Sequence, residues 1–111
     1  HNLDQKWAAL RFGEAKVETV GRQHVFEVEV FLGDLYPGGV RVELYADGVD
    51  GGAPLRQEMT RKRQLPGEAS GYVYSGAVSA ARPPADYTAR VVPYHPAVAV
   101  PLEATHILWQ R

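Results

Sequence analysis

This 111-residue chain contains no cysteine, so neither a disulfide framework nor a thiolate metal site can form. The absence fits a reducing compartment, and the expected location is the cytoplasm. No apolar run reaches the length of a membrane span, and there is no signal-peptide core, so neither a spanning helix nor a secretory leader is expected. An excess of one charge is also wanting. Twelve basic residues face thirteen acidic ones, for a net charge of −1, which leaves no electrostatic footprint for nucleic acid or an anionic membrane. No stretch sustains a 3.6-residue apolar period, which excludes a helical bundle. The chain opens on His1 rather than Met, so it is expected to be an excised or processed piece of a longer protein.

What is present is turn chemistry. Eleven glycines and eight prolines punctuate short alternating runs, the mark of an all-β domain. The length suits one domain, and 45% hydrophobic against 23% charged residues is enough apolar material for a core without staples. Residues 1–14 are expected to form a lead-in segment. Within it Asn2 to Leu10 makes a helical turn or two, capped by Asp4, that docks Trp7 and Leu10. Residues 15–111 are expected to form one sandwich domain.

Strand candidates begin at Ala15 to Val20. Gly21-Arg22 follows as a two-residue type II′ turn, because glycine accepts the positive φ of the first turn position. Gln23 to Leu32 alternates most cleanly, with Phe26, Val28, Val30 and Leu32 inward and Glu27 and Glu29 outward. Val40 to Asp47 places Val40, Val42, Leu44 and Ala46 inward and Arg41, Glu43 and Tyr45 outward. Leu55 to Lys62 reads as one polar edge strand. Tyr72 to Ala80, Asp86 to Val92 and Thr105 to Gln110 complete the set. Seven to eight short strands with connections too short for parallel crossovers predict an antiparallel β-sandwich, immunoglobulin-like or fibronectin-like.

Few residues invite a chemical role. His1, His24, His95 and His106 are scattered and lack the spacing of metal ligands, so surface or packing roles are expected and no metal site. Asp47 and Asp50 in the glycine-rich stretch after Ala46 are too few oxygens for calcium and fit no phosphate loop. Arg61-Lys62-Arg63 reads as a solvated loop face. Arg82-Pro83-Pro84-Ala85-Asp86-Tyr87 reads as a rigid corner. Tyr87 is expected to fold its hydroxyl onto nearby backbone, and Asp86 to cap the turn. The aromatic residues carry the remaining interest. Tyr45, Tyr94, His95 and Trp109 are candidates for a carbohydrate platform, since sugar rings stack on exposed aromatic faces, or for a domain interface, where amphipathic Tyr and Trp are typical. No catalytic constellation stands out.

Several segments together resemble a known family. Phe26-Glu27-Val28-Glu29-Val30-Phe31-Leu32-Gly33-Asp34-Leu35 with Val40-Arg41-Val42-Glu43-Leu44-Tyr45-Ala46-Asp47 is similar to the C-terminal module of bacterial α-glucan phosphorylases. So are Asp86-Tyr87-Thr88-Ala89-Arg90-Val91-Val92-Pro93-Tyr94-His95-Pro96 and Pro101-Leu102-Glu103 with Ile107-Leu108-Trp109-Gln110-Arg111. The resemblance runs from about Trp7 onward. It implies a parent enzyme that cleaves α-1,4-glucan with phosphate to give glucose 1-phosphate, using pyridoxal phosphate on a lysine. The only lysines here are Lys6, Lys16 and Lys62, and none sits in a strand-loop-helix pocket. The chain is thus expected to be a noncatalytic accessory module without a cofactor. Its expected partner is the remainder of the parent enzyme, with α-glucan as the alternative ligand.

Overall fold

The computed structural model describes residues 2–94 and 107–110, apart from the side chains of residues 2–4. A short helix, α1 (Asn2–Ala8), leads into eight strands: β1 (Arg11–Val20), β2 (Gln23–Phe31), β3 (Val40–Ala46), β4 (Leu55–Glu58), β5 (Thr60–Gln64), β6 (Gly71–Ser79), β7 (Thr88–Pro93) and β8 (Leu108–Trp109). They form two four-stranded sheets with the orders β1-β2-β6-β5 and β4-β3-β7-β8. Every neighbouring pair is antiparallel. The chain is an all-β sandwich of eight strands.

Alternation builds the core. Phe26, Val28 and Val30 of β2 and Leu32 just past it meet Val40, Val42, Leu44 and Ala46 of β3 and Ala89 and Val91 of β7 in one buried cluster. Side chains as fully buried as Leu32, Leu44 and Val91 each contribute about 1.5–3 kcal/mol by leaving water. Leu10 is buried in the same cluster, and Trp7 packs against it from α1. Asp4 falls within α1 rather than ahead of it.

The seventh strand starts at Thr88, because Asp86 is taken into a 3₁₀ turn, and the last covers only Leu108–Trp109 among the described residues. Two further elements depart from the sequence expectation. β1 begins at Arg11, not Ala15. A register shift between Phe12 and Ala15 interrupts the alternation that would have revealed the earlier start. The Glu29 carboxylate accepts the Glu14 N–H there at 3.0 Å. A Cβ on Gly13 would meet Glu29 Oε1 and Phe31 Cε2 at 2.7 Å each, so a side chain there would have to push both tips aside. The single edge strand expected over Leu55 to Lys62 is instead two strands in different sheets. Met59, buried, is the switch point, and its N–H donates to the Val42 carbonyl at 2.7 Å. Arg61-Lys62-Arg63 therefore lies on edge strand β5 and not in a loop.

The turns follow backbone demands. Gly21 takes φ +60° and Arg22 does not enter the positive region, as a type II′ turn requires between Val20 and its partner Gln23. After β6 the chain rounds a corner through a single 3₁₀ turn, Pro84–Asp86.

Candidate functional site

Outward positions of the second sheet converge on one cluster. Antiparallel register sets Glu43 of β3 opposite Arg90 of β7, and Arg90 opposite Trp109 of β8. Tyr45, two residues after Glu43, shares that face. The Arg90 Nε donates to Glu43 Oε1 at 2.7 Å, and its Nη2 closes on the same oxygen. Although both residues point away from the core, Glu43 is only 7% exposed and Arg90 9%. Aromatic rings account for part of that burial. The Arg90 guanidinium lies 4.5 Å from the Tyr45 ring centre and 5.1 Å from that of Trp109. The two rings meet edge to face, 5.3 Å apart and 83° between planes. The result is an ion pair roofed by cation–π contacts, each worth about 0.5–2 kcal/mol depending on desolvation.

A second motif adjoins it. Arg41 lies 4.1 Å over the Tyr94 ring, and its Nε is 3.5 Å from Glu58 Oε1. Glu58 is the cross-strand neighbour of Glu43. The two carboxylates are thus each matched by a guanidinium, Glu58 by Arg41 and Glu43 by Arg90, and both of these guanidinium groups rest on aromatic rings. Arg41 and Glu58 also line an open groove of about 560 Å³ beside the sheet-switching strands, with Gln57, Thr60 and Arg61. Tyr36, 76% exposed, stands near it with its ring laid over Gly38.

Of the residues expected at a platform or interface, Tyr45 and Trp109 are brought into one cluster, and Tyr94 lies beside it under Arg41. His95 lies outside the described residues, as do His1 and His106. The cluster's charged centre, Glu43 and Arg90, was not singled out from the sequence. One signal was available: Arg90 interrupts an otherwise apolar strand, Ala89 to Pro93, and a buried cation requires an acidic partner on the adjacent strand.

The corner residues lie elsewhere. Tyr87 packs edge-on against Phe26 at 5.9 Å and donates its hydroxyl to the Ser79 carbonyl at 3.3 Å. Asp86 does not cap the turn as expected: it lies inside the 3₁₀ turn, and its carboxylate accepts from Arg82 Nε at 3.2 Å. Beside them, buried His24 spans two segments. Its Nε2–H donates to the Arg82 carbonyl at 2.7 Å, since that oxygen only accepts, and Thr19 Oγ1 sits 2.7 Å from Nδ1. The imidazole thereby ties the β1–β2 hairpin to the corner. Burial also pushes the Tyr74 phenol above its ordinary value, with Arg61 partly opposing the rise.

No three His, Asp or Glu side chains converge as a metal would require among the described residues. A Schiff-base lysine needs an enclosed pocket with a phosphate cradle. Lys6, Lys16 and Lys62 are all exposed, on α1, β1 and β5, and do not fit that role.

Comparison with curated proteins finds no match, and comparison with solved structures finds none either. The family described as the glycogen phosphorylase C-terminal domain matches residues 7–111, from the docked Trp7 through both sheets, and the chain belongs to that family.

Proposed function

We propose that this chain is a noncatalytic packing module of an α-glucan phosphorylase, which docks on the remainder of the enzyme through the outer face of its second sheet. One observation carries the reading: Tyr45 and Trp109 stand perpendicular around a buried arginine. Neighbouring sugars stack best on rings that lie flat and side by side, whereas edge-to-face aromatic pairs around an arginine are the stuff of interface centres. On this reading the parent performs phosphorolysis of α-1,4-glucan to glucose 1-phosphate in the cytoplasm, and its pyridoxal phosphate resides outside this chain. The sandwich itself is read as immunoglobulin-like. Its two strand orders follow the ABED and C′CFG arrangement, and Tyr87 closes the corner between the sixth and seventh strands. Tyr87 and Asp86 thus serve the fold. The test is a full-length enzyme carrying Tyr45→Ala and Trp109→Ala. Loss of assembly supports docking through this face, and unchanged assembly would overturn it.

A second reading, α-glucan binding, is favoured by the groove beside Tyr36. A solvent-facing ring laid over Gly38, which lines the groove together with Arg41, Gln57 and Glu58, combines a stacking surface with groups that bond hydroxyls. Titration of maltoheptaose against the chain by NMR checks it. Saturable shifts at Tyr36 and Gln57 establish the site, and none at millimolar sugar removes it.

A further inference from the structure

We infer that the free edge of β1 is a self-association seam, at which a second copy of this chain adds its own β1 antiparallel across a twofold axis through Val17. The inference rests on the first sheet's edge and is separate from the docking face of the second sheet.

Among the described residues the sandwich has four sheet edges, and three are poor templates. β4 is four residues long and β8 two. β5 carries Arg61, Lys62 and Arg63, so a second β5 beside it would oppose cation to cation, and a register shift lies between Arg61 and Arg63. β1 differs in each respect. It runs ten residues and is exposed along nearly all of them, on both faces. Val17 at 42% and Val20 at 57% are among the few large apolar side chains left in solvent. It holds no proline, and its irregularity is confined to the start, before Ala15.

Backbone geometry says which groups face the edge. The two-residue turn makes Val20 and Gln23 a hydrogen-bonded pair, and such pairs then alternate. Glu18 and Lys16 therefore spend their N–H and C=O groups on β2. Thr19, Val17 and Ala15 turn theirs toward the open side. A twofold axis through Val17 pairs these three with Ala15, Val17 and Thr19 of the second copy.

The side chains select that register. With the axis at Val17, Lys16 stands opposite Glu18 of the second copy, and the contact occurs twice. Both fall in the close, non-hydrogen-bonded pairs where cross-strand charges interact most. An axis at Lys16 sets lysine against lysine, and one at Glu18 sets glutamate against glutamate. An axis at Ala15 runs the pairing into the Gly13 irregularity, and one at Thr19 runs it into the Gly21 turn. Lys16 is 78% exposed, and its in-chain partner Glu27, at 3.4 Å, holds it on the face that Glu18 shares. The isologous register is self-complementary, as a closed dimer requires.

A one-strand seam is at the small end of specific interfaces, under about 1,200 Å², so the association is weak and is sought up to about 1 mM chain. Sedimentation equilibrium of the 111-residue chain should show a monomer–dimer equilibrium. Lys16→Glu and Glu18→Lys should each weaken it roughly tenfold or more, by replacing two attractive pairs with two repulsive ones. An equimolar mixture of the two variants should associate again, because each then meets the opposite charge at both positions. Amides of Ala15, Val17 and Thr19 should gain exchange protection with concentration, while those of Lys16 and Glu18 stay constant. A monomer at about 1 mM, single variants that associate as tightly as the parent sequence, or a mixture that stays monomeric would each overturn the inference.

Discussion

Breaking the Glu43–Arg90 pair should be the costliest single polar change on the second sheet. Both side chains are nearly closed to water, at 9% and 11% side-chain exposure, and two guanidinium nitrogens converge on one carboxylate oxygen. Glu43→Ala leaves the arginine uncompensated between Tyr45 and Trp109, which costs about 3–5 kcal/mol. For a domain of this size each kcal/mol moves the melting point by about 4 °C, so the variant should melt roughly 12–20 °C lower. Arg90→Ala should lose as much and also strip the cation from both rings. Replacing both residues with methionine should recover most of the loss, because no buried charge then remains. Urea and thermal unfolding followed by far-ultraviolet circular dichroism measure all three. A loss under about 1 kcal/mol in Glu43→Ala would refute the reasoning, as would a double methionine variant as unstable as the sum of the single ones.

Three further outcomes are expected. Tyr87→Phe keeps the ring against Phe26 but drops the 3.3 Å bond to Ser79, so unfolding should show a loss of about 0.5–1.5 kcal/mol without a change of fold. His24→Ala leaves the Arg82 carbonyl and Thr19 hydroxyl without their buried partner and opens a void. Denaturant unfolding should fall by about 2–4 kcal/mol, and amide exchange should quicken around the corner. Tyr74 holds its proton more tightly folded than unfolded, chiefly through desolvation. Its contribution is therefore fully present below the unfolded value of 10.0 and is lost as pH rises through the folded one. Stability measured from pH 9 to 12 should decline, and Tyr74→Phe should flatten part of that decline.

The legible parts of this fold are those where alternation runs unbroken. β2 and β3 show Val28, Val30, Val42 and Leu44 in strict period two, and their inward faces form the core. The family, too, was legible as a resemblance, carried by the segments around Val28, Leu44 and Tyr87 taken in combination. Where alternation breaks, the sequence falls silent. The irregularity at Gly13 hid the first four residues of β1, and Met59 passes between sheets with no glycine or proline to mark the change. The site divides in the same way. Outward placement of Tyr45 follows from its position in β3, but its meeting with Trp109 depends on the pairing of three strands distant in sequence. Register is likewise what sets Glu43 opposite Arg90 and carries His24 to the Arg82 carbonyl. Such relations reside in the tertiary arrangement, not in any local window.

The most direct test supplies the isolated chain in trans to an α-glucan phosphorylase that lacks this module, with binding followed by calorimetry. The predicted result is saturable binding that Tyr45→Ala with Trp109→Ala weakens at least tenfold, while maltoheptaose neither binds at those rings nor competes. No binding to the enzyme, together with saturable binding of maltoheptaose at Tyr45 and Trp109, would contradict the account.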